Sequence, residues 1–115
     1  MITGDAIDMM LGDTETYFVA APYACHVKNV RAISQDINIS GATVKVYQGT
    51  TVSSATLIGT ATFSTNIAGE LASYAADDAN LEIAKDGIIQ IVISNVGTND
   101  KFHVTLILDP HRLQE

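Results

Sequence analysis

The chain has 115 residues and a formal net charge of −7, with 6 Lys and Arg against 13 Asp and Glu; 47% of its residues are hydrophobic and only 17% are charged. That length fits one domain, residues 1–115, whose core needs no metal or disulfide staple, and the acidic balance excludes the basic face that nucleic acid requires. No run approaches the roughly 20 apolar residues of a membrane span, the start MITGDAIDMM lacks the regions of a secretory signal, and the single Cys25 cannot close an internal disulfide; a cytoplasmic origin is expected, without a membrane partner.

In chain order, two-residue alternation is the dominant signal. Residues 2–11 place Ile7, Met9 and Leu11 in alternation, which suits either a first strand or an arm docked on another subunit. Residues 16–20 (TYFVA) and 27–34 are rich enough in β-branched and aromatic side chains to be strands, with Pro22 marking the break between them. Residues 42–48 set Val44 and Val46 against Thr43, Lys45 and Tyr47, as in a half-exposed strand. Residues 56–64 put Leu57, Gly59, Ala61 and Phe63 on one face and Ile58, Thr60 and Thr62 on the other. A shorter strand is expected over 69–75 and a helical turn over 76–84, where Asp77 and Asp78 would cap it.

Residues 88–94 (IIQIVIS) are apolar on both faces except at Gln90, the pattern of a central strand covered on both sides. Residues 101–108 give the clearest alternation, with Phe102, Val104, Leu106 and Leu108 on the core face and His103 on the solvent or interface face. Pro110 then ends the ladder, leaving residues 109–115 as a tail. Turn clusters recur every dozen or so residues; Asp86-Gly87 is the best of them, with glycine supplying the positive φ. Seven or eight short strands and no long helix make an all-β, antiparallel β-sandwich of jelly-roll type.

Chemistry is harder to find. His26, His103 and His111 make no H-x-x-x-H pair, and Cys25 and His26 point to opposite faces of a strand. The acidic spots Asp77-Asp78 and Asp13-Thr14-Glu15 match no calcium loop, and the scattered glycines form no phosphate-binding loop. Without a G-x-S-x-G elbow, no nucleophile, base and acid can be nominated together, so neither an enzyme nor a cofactor is expected. The candidate contacts to other macromolecules are Ile2, Ile7, Met9, Met10 and Leu11 at one end, Tyr47 and His103 on outward strand faces, and His111, Arg112 and Leu113 in the tail. Leaving the apolar start of the chain in water would forfeit about 25 cal/mol per Å² of buried surface.

The segments TYFVAAPYACHVKNVRAIS, ATVKVYQGT, TLIGTATF, AKDGIIQIVIS and KFHVTLIL, in that order, resemble small β-sandwich proteins of tailed-bacteriophage virions, in particular head decoration or capsid cement proteins. The similarity covers most of the chain and consists of strand pattern, short turns and composition. It implies a non-enzymatic structural protein that binds the outer capsid surface of the virion and stabilises the shell, made in the host cytoplasm, with the major capsid protein and copies of itself, as dimer or trimer, for partners. The alternative is a tail-fibre module that binds a receptor or glycan through exposed tyrosines, Tyr47 first among them.

Overall fold

A computed structural model describes residues 5–11, 16–34, 41–49, 55–64, 70–77, 81–94 and 102–110. Their strands are β1 (Asp5–Leu11), β2 (Thr16–Ala20), β3 (Cys25–Ser34), β4 (Thr43–Gln48), β5 (Thr56–Thr62), β6 (Ser73–Ala76), β7 (Ile88–Ser94) and β8 (Phe102–Pro110). β1 pairs with β8, β2 with β7 and β4 with β5, all antiparallel, so first meets last and the pairing nests inwards. β8 also pairs with β3, and β7 with β4. Two antiparallel sheets result, ordered β1-β8-β3 and β2-β7-β4-β5-β6.

The inner faces share one core. Val27, Val30 and Ala32 of β3 and Phe102, Val104, Leu106 and Leu108 of β8 meet Val44 and Val46 of β4, Ile58 and Ala61 of β5, and Ile89, Ile91 and Ile93 of β7. Each Val, Leu, Ile or Phe among them contributes about 1.5–3 kcal/mol by leaving water. The Phe63 and Phe102 rings meet tilted at 51°, centroids 5.5 Å apart, an arrangement that favours edge-to-face attraction. β3 packs over β5 and β6, which leaves β1 on the same side of the molecule as β2.

Two bulges change which side chains face inwards. In β3 the register with β8 shifts between Val27 and Asn29, so Val30, Ala32 and Ser34 point to the core while Asn29, Arg31 and Ile33 point out. In the β4–β5 pair the shift falls between Val46 and Tyr47. Leu57 therefore lies opposite Tyr47 on the outer face and Ile58 is buried, so the expected faces are exchanged at these two residues, while Gly59, Ala61 and Phe63 stay together on the buried side; an extra residue in one strand inverts the faces beyond it.

Several expectations need correction. No helical turn forms in the described part of 76–84: β6 runs to Ala76, and Ile83 bridges Cys25 through Cys25 N donating to Ile83 O (2.9 Å) and Ile83 N donating to Cys25 O (2.7 Å). The backbone hydrogen bonds that a helix would make internally are satisfied across the fold. The short strand begins at Ser73, with Leu71 before it making a separate bridge to Ile33. β8 continues through Asp109 and Pro110, opposite His26 and Cys25; a proline at the last position of a strand costs no interior ladder bond. The tail is thus shorter than 109–115, and residues 111–115 lie outside the described residues. In the turn closed by Gly87 N donating to Ala84 O (2.8 Å), positive φ belongs to Asp86 (67°), while Gly87 is needed for space, since a Cβ there would lie 2.9 Å from Ala84 O. Residues 5–11 form an edge strand of the smaller sheet; residues 1–4 lie outside the described residues.

Candidate functional site

Two outer sheet faces carry the candidate residues. On the three-stranded sheet, register sets the rows Ala6–Ile107–Asn29, Asp8–Thr105–Arg31 and Met10–His103–Ile33, and the Ile33–Leu71 bridge extends the last row by one residue. Among the described residues, Met10 (61% exposed), Ile33 (38%) and Leu71 (47%) are three of the four large hydrophobic side chains most open to solvent, and they lie in this single row around His103. Beside it, the Thr105 hydroxyl donates to Asp8 Oδ1 (2.5 Å), and His103 Nε2 lies 3.8 Å from the same oxygen. At the other end of β8, His26 Nε2 lies 3.3 Å from Asp109 Oδ2. Lys28 and Arg31 are also exposed on β3.

A cleft of about 160 Å³ adjoins that row, lined by Asn29, Val30, Arg31, Leu71, Ala72 and Tyr74. It lies where β3 has backbone partners at Cys25 and Ile33, through bridges to Ile83 and Leu71, and where the chain then leaves to pair with β5. The Tyr74 ring rests on Gly59, and its buried hydroxyl has no hydrogen-bond partner among the described residues. Burial first, and the Asp77 carboxylate second, push the Tyr74 phenol above its usual pKa.

On the five-stranded sheet, the row Phe18–Gln90–Tyr47–Leu57 crosses four strands. Gln90 is 1% exposed; its Nε2 donates to Gly49 O (3.1 Å), tying the end of β4 to the middle of β7. Tyr47 is half-buried and Phe18 is 55% exposed.

The sequence-derived candidates therefore separate. Met10 and His103 come together in one outward row, with Tyr47 on the opposite sheet. Ile7 and Met9 point inwards, opposite Leu106 and Val104, and pack against the core. Leu11 is the register partner of Phe102. Ile2, His111, Arg112 and Leu113 lie outside the described residues. Phe18, Ile33, Leu71 and Arg31 were not among the candidates. Alternation in TYFVA sets Phe18 out of phase with Tyr17 and Val19 and offered a signal for it; the bulge in β3 concealed Ile33.

Cys25 is buried; its thiol is pushed above the usual value by burial and then by Glu82, so it stays protonated. Among the described residues, no three His, Cys, Asp or Glu side chains converge to hold a metal ion. Compared with protein-family models and with curated protein sequences, the chain matches none.

Proposed function

We propose that this chain is a non-enzymatic structural protein of a phage virion, a decoration or cement protein that seats on the outer capsid surface and stabilises the shell. The observation that carries it is the row Met10–His103–Ile33–Leu71: apolar side chains held open to water on a hydrogen-bonded sheet, where covering them contributes about 25 cal/mol per Å². We further read the sandwich as a jelly roll. The nested pairs β1–β8, β2–β7 and β4–β5 are supplemented by Ala72 N donating to Ala32 O (2.8 Å), which gives the segment entering β6 a foothold on β3. The capsid as partner comes from the sequence resemblance.

Co-sedimentation with tailed-phage shells assembled without the protein tests the role. Wild-type protein is expected to pellet with the shells and raise their melting temperature, and Met10→Asp with Leu71→Asp to abolish both while the free protein keeps its circular dichroism. Absence of wild-type binding would overturn the proposal. A second reading, a glycan- or receptor-binding module of a tail fibre, is favoured by the cleft that sets Tyr74 beside Asn29 and Arg31. It predicts a glycan-array signal lost in Arg31→Ala; a blank array removes it.

A further inference from the structure

We infer that the free edge of β2 is a self-association site, through which two copies join their five-stranded sheets about a twofold axis at Phe18. Among the described residues, β2 has a strand partner on one side only. Ala21 N donates to Gly87 O (2.8 Å) and Ala21 O accepts from Asp86 N (2.8 Å), so Ala21 directs its peptide groups towards the β7 side. Along an antiparallel strand these directions alternate. Tyr17 and Val19 thus face β7, and the N–H and C=O groups of Thr16, Phe18 and Ala20 face away from the sheet. Gly49 N donating to Ile88 O (3.0 Å) agrees, because it turns Ile88 towards β4 and leaves Ile89 and Ile91 for β2.

An antiparallel copy centred on Phe18 satisfies all of those outward groups. Phe18 exchanges both bonds with its own counterpart, and Thr16 does so with Ala20 on either side. On the outer face the two Phe18 rings meet. On the inner face Tyr17 meets Val19 of the second copy in the closer, non-hydrogen-bonded kind of pair; both residues are only partly buried at the margin of the core.

The outward groups of β2 are complementary to their own twofold copy, and charge selects this edge for it. A chain of net charge −7 repels its own kind, so self-pairing needs a neutral strand. TYFVA carries no charge, proline or glycine, and so lacks the usual devices that block an edge. Self-pairing of β1 about its central residue would instead set Asp8 opposite Asp8. The edge strand β6 has only four residues.

The resemblance implies copies of the chain as partners; the edge and the twofold geometry are argued from the strand itself, so the association is tested without shells. Sedimentation velocity over a concentration series, with amide hydrogen exchange on the same samples, tests it. The expected result is a reversible dimer in which the amides of Thr16, Phe18 and Ala20 become protected as concentration rises. Phe18→Pro removes an N–H unused within the sheet and Phe18→Lys sets two cations together; both are expected to be folded monomers by circular dichroism, whereas Met10→Asp should remain dimeric. A monomer at every concentration, a threefold assembly, or a dimer indifferent to both Phe18 variants would overturn the inference.

Discussion

Tyr74 shows how much one side chain can couple. Its ring occupies the space above Gly59, where a Cβ would clash with the hydroxyl and lie 2.5 Å from Cζ, and its buried oxygen has no partner among the described residues. Gly59→Ala is expected to destabilise the fold by roughly 1–3 kcal/mol through overpacking, and the loss should shrink sharply in a Tyr74→Ala background, as a double-mutant cycle by urea denaturation would measure. Tyr74→Phe removes an unsatisfied hydroxyl and is expected to raise stability by about 1 kcal/mol at neutral pH. The raised phenol pKa sets the pH dependence: the folded state retains the proton that the unfolded chain loses near pH 10, so its contribution is intact below that value and is lost as pH rises through the folded pKa. Wild type should therefore lose stability relative to Tyr74→Phe only above about pH 10, as thermal melts would show.

At the scale of the element, alternation was readable wherever a strand runs without interruption. β8 is the clearest case: Phe102, Val104, Leu106 and Leu108 are all buried and His103 is exposed, as the sequence pattern implied. β3 was not readable in the same way. Alternation counted from Val27 would put Ile33 inside, and the bulge at Val27/Asn29 puts it outside. A bulge depends on the partner strand, so a pattern within one strand does not reveal it. β1 could be read as strand or arm until its pairing with β8 placed Ile7 and Met9 against the core. Ile7→Ala is expected to cost roughly 1–2 kcal/mol, less than at a fully buried site, while Met10→Ala on the outer face should stay within about 0.5 kcal/mol; equilibrium urea denaturation separates the two.

Across the whole molecule, nesting joins residues far apart in sequence, as Asp8 and Thr105 are. Such non-local pairing must bear loop-closure entropy before contacts repay it, so refolding is expected in about milliseconds to seconds. Stopped-flow fluorescence of the tyrosines would measure this; completion within microseconds would contradict the nested topology. Cys25 offers a second probe, since it is buried at a bridge between β3 and Ile83. Alkylation of the native protein at mildly alkaline pH should run at least about 1,000-fold slower than in denaturant, because it must await opening of the core.

The sequence by itself determined that the chain is all-β, that its strands are short, and which residues of β4 and β8 form the inner faces, because period-two burial is a local property of an extended backbone; for β7, apolar on both sides of Gln90, the pattern left the inner face open and the structure assigned it to Ile89, Ile91 and Ile93. The sequence also supplied the charge and the outward phase of His103. Only the tertiary structure decided the strand order, the two bulges, the inward turn of Met9 beside the outward Met10, and the gathering of Met10, Ile33 and Leu71 into one row. Those features depend on which strands lie side by side and in what register, and register is set by contacts between distant segments rather than within any one of them.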